Sequence, residues 1–373
     1  DTVFRVGSVS KLLTDIAAMQ WVERGTISLD EDLRSRLSDV LPPSDVSISL
    51  RQLMSHRSGL VREPPIGNYF DDSDPTLRDT VRSLAATQLV YEPGSRTKYS
   101  NAAVAVVGYL VEQLGDEPFV TYMDRHILKP LGMTSSGFVR SAEWEERLAC
   151  GWMRTYDGRR FPAATFPLGT SPAGNLYSSV HDLCRFLHTL LDENAPTDRL
   201  LQPETLRMMS QSASSGDDAG PFGLGFHVQP LDGHRMIGHG GAIYGFATQL
   251  EALPDEGLGV VAVATLDVSN GVVERLAHYA LRLQLADRNG SPLPEYVRTD
   301  AIPLERFQQI VGTYATETGD RMRIDDRGSE LVMQHGALVS RLRLQRTDLV
   351  IDDATTGLGA VLRRRAEGEL EMD

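Results

Sequence analysis

Residues 4–25 read FRVGSVSKLLTDIAAMQWVERG, and the rest of the chain is read outward from them. Leu12, Ile16, Met19 and Gln20 recur at helical spacing and Gly25 closes the run, so residues 9–24 are predicted to form a helix. Ser8 stands just before it, where a hydroxyl residue is favoured as an N-cap. Ser8-Val9-Ser10-Lys11 has the S-x-x-K spacing, which puts the first hydroxyl and the ammonium on one helix face. A serine Oγ is a poor nucleophile until a neighbouring base takes its proton, and a lysine in a desolvated pocket can lose its charge and serve.

The basic residues single out this lysine. Of 37 Lys and Arg only Lys11, Lys98 and Lys129 are lysines, which leaves 34 arginines. A guanidinium does not deprotonate in proteins, so a lysine kept at position 11 fits a need for a neutral amine. A bare S-x-x-K arises about once by chance in a chain of this length. Ser95-Arg96-Thr97-Lys98 is such a second copy, in a predicted turn after Pro93-Gly94 with no amphipathic helix directly behind it.

Two further elements carry chemistry. In Tyr99-Ser100-Asn101 an extended backbone would turn residues i and i+2 to the same wall of a cleft. An adjacent ammonium would stabilise the Tyr99 phenolate, making it a general base toward Ser8 and later an acid toward the leaving group. Asn101 offers a donor and an acceptor to substrate amides. His239-Gly240-Gly241-Ala242 opens a predicted strand. Its glycines admit a ligand close to the backbone, and a following amide can join that of Ser8 as an oxyanion donor. There is no H-E-x-x-H spacing, and no metal is assigned to His234 and His239. No G-x-S-x-G elbow or phosphate-binding glycine loop is present; Ser58, in HRSGL, lacks the glycine two residues back.

Totals bound the remaining possibilities. The 373 residues allow two or three domains, and 41% hydrophobic with 24% charged residues is an ordinary globular composition. A net charge of −14 repels phosphate backbones and anionic surfaces, which argues against nucleic acid as a partner. No stretch approaches the roughly 20 apolar residues that span a bilayer. Cys150 and Cys184 are too few for a disulfide framework and are expected as buried thiols, with a single bridge between them as the alternative; the cellular compartment is left open. Helices joined by Pro/Gly loops are predicted from residue 50 to about 190, for example 103–114 and 118–131. Adjacent antiparallel strands follow between 222 and 268, at 226–228, 247–252 and 259–264, and then a helix at 272–286. The polar stretch DRNGSPLP begins a linker at 287–296, and short strand-like runs beyond it predict a small all-β domain, barrel or sandwich, over 297–373.

The elements S-x-x-K, Y-x-N and H-x-G, in this order, resemble the class C β-lactamase-like or penicillin-binding-protein-like serine hydrolases. That family includes D-aminopeptidases, DD-peptidases and certain esterases. FRVGSVSK (4–11), LMSHRSGL (53–60), EPGSRTKYSN (92–101), KPLGM (129–133), SPAGNLYSS (171–179), FGLGF (222–226) and GHGGAIYGF (238–246) are similar to its blocks, in its order. The resemblance implies an α/β (α+β) fold, an antiparallel sheet flanked by helices with a mostly helical inserted subdomain and the active site between them. It implies Ser8 as the acylated nucleophile, Lys11 as its base partner and Tyr99 as the proton shuttle. It also implies Asn101 and His239 with Gly240, Gly241 and Ala242 as substrate contacts, and the Ser8 and Ala242 amides as the oxyanion hole. A small molecule or short peptide is the implied substrate, with no metal or cofactor.

This hydrolase domain is expected over 1–286. Its N-terminal edge is expected to be truncated, because the family carries a helix and strands before the S-x-x-K block and seven residues precede Ser8 here. True class C β-lactamases have a lysine where His239 stands. The H-x-G form is closer to the esterase and D-peptidase branches, so ester or amide hydrolysis is expected ahead of β-lactam turnover. The alternative is a non-catalytic ligand-binding or sensor protein on the same fold.

Overall fold

The computed structural model describes all residues except 156–158, 192–199, 213–219, 297, 316–320, 337, 354–356, 365–369 and 373. Position 297, where the all-β domain was expected to begin, therefore lies outside the described residues. Two compact units emerge, Asp1–Asp267 and Val268–Asp373.

The first unit is built around two buried helices. Strand β1 (Val3–Arg5) runs through a 3-10 turn at Gly7–Val9 into helix α1 (Ser10–Glu23). The left-handed Gly25 follows the helix end, as the sequence suggests. Residues Ser10 to Met19 of α1 are all buried. The single apolar face read from the spacing is thus too narrow, because the helix is central and is covered on every side. It packs on α2 (Asn101–Gly115), buried from Asn101 to Val111. Ser100 caps α2, its hydroxyl accepting the Ala103 amide at 2.9 Å. Short helices at Leu50–Met54, Leu77–Arg82 and Phe119–Met123 complete the helical region. The helix expected at 118–131 widens into a π turn over Asp124–Leu128 just before Lys129-Pro130, where proline cannot continue the hydrogen-bond ladder.

The sheet supplies the other wall. Strand β2 (Tyr177–Ser179) pairs antiparallel with β1. Four strands, β3 (His227–Leu231), β4 (His234–Ile243), β5 (Phe246–Leu253) and β6 (Leu258–Ala264), form an antiparallel meander in sequence order. β5 is buried along its whole length, and His239 and Gly241 of β4 lie opposite its Leu250 and Thr248. The expected fold, helices on an antiparallel sheet, is the observed one.

Helix α3 (Val180–Leu191) buries Asp182, Leu183, Phe186 and Leu187. Its Cys184 falls on the opposite face, so this thiol is free and exposed, as is Cys150. Both differ from the buried thiols expected: in α3 amphipathic placement outweighs residue type, and Cys150 lies on an exposed stretch outside any helix.

The second unit holds helix α4 (Asn270–Asn289) and a seven-stranded antiparallel meander from Gly312–Ala315 to Leu370–Met372. The alternatives of barrel or sandwich resolve, among the described residues, into one sheet with each strand beside its sequence neighbour. Its core includes Phe307, Ile324, Leu331, Leu342 and Ile351. Arg275 of α4 reaches Asp352 at 2.7 Å. α4 runs to Asn289, into the stretch read as linker, and stops at the left-handed Gly290.

Candidate active site

Ser8 does not cap α1. The cap position falls to Val9, which makes no side-chain cap bond, and Ser8 sits inside the preceding 3-10 turn. Its hydroxyl is therefore left for other partners. Lys11, one turn on, donates from Nζ to Ser8 Oγ at 2.9 Å, and the Tyr99 hydroxyl donates to the same oxygen at 2.8 Å. Lys11 also donates to the Ala173 carbonyl at 2.6 Å, and its ammonium position lies 4.8 Å from the Tyr99 ring centre.

The turn is held from several directions. Ser10 Oγ donates to the Gly7 carbonyl at 2.6 Å and accepts the Leu176 amide at 3.0 Å. Thr14 Oγ1 donates to the Pro172 carbonyl at 2.8 Å. The block SPAGNLYSS thus anchors α1 and presents Ala173 to Lys11. Gly7 takes a left-handed φ of 51°, and a Cβ there would stand 2.9 Å from the Ala242 backbone. A Cβ on Gly241 would stand 2.1 Å from the Val6 carbonyl. These two glycines let β4 touch the chain beside Ser8, and any larger residue would push the strand away.

Burial sets the protonation states. Desolvation lowers the Lys11 amine from 10.5 to about 7, against the pull of Glu63 and Asp15. Desolvation likewise pushes the Tyr99 phenol up, with its bond to Ser8 opposing. The phenolate expected from the sequence is therefore replaced by a neutral phenol. An amine near 7 is not the fixed cation that would hold an anion, and the half-buried phenol is held up by desolvation. His239 is lowered to about 3, first by burial and then by Lys11. Its Nδ1–H donates to the Gly240 carbonyl at 2.5 Å, which leaves Nε2 unprotonated.

The other expected residues spread around this centre. The rings of Tyr99 and His239 lie 5.9 Å apart. Asn101 begins α2 and donates from Nδ2 to Glu63 at 2.5 Å, so its carboxamide is engaged by a carboxylate the motif did not include. Gly240 faces Gln249, where a Cβ would lie 2.9 Å from Oε1, and not the Ser8 turn. The second S-x-x-K, at residues 95–98, has no helix, and Ser95 donates to the Glu92 carbonyl. Sequence reasoning missed Ala173, Glu63 and His56. The only signal for Ala173 and His56 was that the blocks SPAGNLYSS and LMSHRSGL had no assigned task, and Glu63 lies outside both.

Ser8, Lys11 and the half-buried Tyr99 thus meet at the start of a central helix, beside an antiparallel sheet. Residues 1–285 match the beta-lactamase family, and the chain belongs to it. "Protein Rv1367c" of Mycobacterium tuberculosis is 30% identical over 56% of this chain and 59% of its own length, so the match spans less than two thirds of that protein. "Esterase EstB" of Burkholderia gladioli is 29% identical over 64% of this chain and 69% of its own. The structure of the octameric penicillin-binding protein homologue from Pyrococcus abyssi shares the fold, with a TM-score of 0.69 and 22% identity over 100% of this chain and 86% of that one. No helix among the described residues is long and apolar enough to cross a membrane.

Proposed function

We propose that this protein hydrolyses an ester or amide, including D-amino-acid amides, through an acyl-Ser8 intermediate. The observation that carries the reading is the Ser8 Oγ held at 2.9 Å from Lys11 Nζ and 2.8 Å from the Tyr99 hydroxyl. The neutral Lys11 amine takes the Ser8 proton as Oγ bonds to the substrate carbonyl carbon. The resulting oxyanion is met by the amides of Ser8 and Ala242. Collapse breaks the bond to the leaving group, which receives its proton through the Tyr99 phenol, itself reprotonated from Lys11. Water then adds to the acyl carbon, gives its proton to the same relay, and Ser8 departs with a proton restored. Asn101 and His239 contact the substrate from either side.

Neutral His239 provides no fixed cation for a substrate carboxylate, which supports placing esters and amides ahead of β-lactams. The domain limits belong to the same proposal: a hydrolase region at 1–286, supported by the family match over 1–285, and an accessory β domain at 297–373 beyond a connector at 287–296. The test is turnover of p-nitrophenyl esters, D-amino acid amides and nitrocefin by the wild type and by Ser8→Ala. Turnover of the first or second class, abolished in the variant, is expected. Binding without turnover of any class would favour the sensor alternative.

A further inference from the structure

We propose that His56 is a positioning residue for Tyr99, acting through the Ser100 amide and through the face of its own ring. This inference rests on the acyl-Ser8 reading and adds a residue to which that reading gives no task. His56 lies in LMSHRSGL, after the short helix Leu50–Met54, which a capping box at Ser49 and Gln52 begins. Its φ is 58°, in the left-handed region. A residue closing a helix in this conformation is ordinarily glycine or asparagine, and a β-carbon-bearing ring is retained there at a conformational cost. Such strain persists where the surroundings over-determine it, often beside a working site.

The imidazole has contacts that glycine could not make. The Ser100 amide donates to His56 Nδ1 at 3.2 Å, and the Lys98 amide donates to the His56 carbonyl at 2.8 Å. Tyr99 is thus gripped on both sides of its own Cα by one residue. The two rings stack with centres 4.4 Å apart and planes at 40°, while Phe222 sets its ring at 84° to the imidazole, 4.8 Å away. The His56 carbonyl also accepts the Tyr91 hydroxyl at 3.3 Å, which steadies the loop from outside. As an acceptor, Nδ1 carries no proton, so the ring is the neutral Nε2–H form. Burial keeps it neutral, and Arg62, or any proton taken up by Lys11 or His239, acts in the same direction. A protonated ring would reverse Nδ1 from acceptor to donor and push the Ser100 amide away.

The variants His56→Phe and His56→Asn separate the two contacts. Phenylalanine keeps a ring over Tyr99 and removes the acceptor. Asparagine accepts the left-handed conformation and puts an oxygen near the place of Nδ1. With p-nitrophenyl acetate, His56→Phe is expected to lower kcat on the order of 10- to 100-fold with KM changed less than about threefold, as for a displaced reacting group. His56→Asn should restore most of that loss. Retention of kcat in His56→Phe, or an equal fall in both variants, would overturn the proposal. Should His56→Phe fail to fold, the imidazole ¹⁵N shifts of the wild type decide: an unprotonated Nδ1 and protonated Nε2 from pH 5 to 8 are expected, and the other tautomer or a charged ring would overturn it. That spectrum needs no turnover, so a chain that hydrolyses nothing would sink the enzymatic reading while the spectrum still judges the grip of His56.

Discussion

Raising the pH from 5 to 8 should switch the reaction on, because the base that Ser8 needs is Lys11 and burial holds that amine at about 7. Only the neutral form can take the hydroxyl proton. With a pKa near 7 it makes up roughly 1% of the protein at pH 5 and roughly 90% at pH 8, so kcat/KM should rise roughly 90-fold over that interval and then level off. The neighbouring groups leave this limb to Lys11. His239 sits at about 3, His56 is held well below its ordinary value, and the Tyr99 phenol is pushed up by burial. Two carboxyls near Lys11, the half-buried Glu63 and the buried Asp15, are raised and pull the amine upward, so Glu63→Gln and Asp15→Asn should each keep the limb and move it, if at all, to lower pH. The assay is initial-rate hydrolysis of a p-nitrophenyl ester, corrected for spontaneous hydrolysis, in buffers of constant ionic strength. A flat profile between pH 5 and 8, or a limb near 10, would refute the claim that desolvation tunes Lys11.

Other consequences follow from the same geometry. The folded protein holds Lys11 at about 7 and the unfolded chain near 10.5, so the unfolded chain binds the extra proton between those values and stability rises with pH across that window. The buried amine costs roughly 4 kcal/mol at pH 7, and orphaning the Ala173 carbonyl returns about 1–3. Lys11→Met should therefore abolish turnover yet melt at a higher temperature at pH 7, and a lower melting temperature would contradict this. Gly7→Ala places a Cβ 2.9 Å from the Ala242 backbone at a left-handed φ, which predicts a loss of about 1–3 kcal/mol in denaturant melts together with lost turnover; a variant of unchanged stability would refute that contact. Both cysteines should react with a thiol reagent in the native protein; one or no reactive thiol would contradict the exposed, unbridged pair. Brief proteolysis should cut within 290–296, after the end of α4, and a first cut inside 1–286 would count against the proposed connector.

Much of the site was legible because its chemistry is local. S-x-x-K needs only one helical turn to bring Ser8 and Lys11 together, and the scarcity of lysine marked Lys11. Tyr99 was found through a neighbouring block, but its protonation state was not, since burial by residues far along the chain decides it. The same limit explains the misplaced N-cap: a 3-10 turn locked by Leu176 and Pro172 moves the helix start past Ser8, and no local pattern reports it. Ala173 acts through a carbonyl, which every residue has, so only the fold could identify it. His56 looked like any lone histidine until its φ and its bond to Ser100 were seen. The buried stretch of α1 from Ser10 to Met19 escaped the periodicity argument because it has no wet face to set a period against. The antiparallel strands between 222 and 268 were legible because alternation and turn residues are short-range signals.

The central claim is that Ser8 forms a covalent bond made possible by Lys11. Intact-mass analysis after exposure to a fluorophosphonate, followed by mapping of the modified peptide, tests it directly. One adduct on the peptide carrying Ser8, absent from Ser8→Ala and strongly slowed in Lys11→Met, is the result expected. An adduct on another residue, or one that forms unchanged in either variant, would contradict the account.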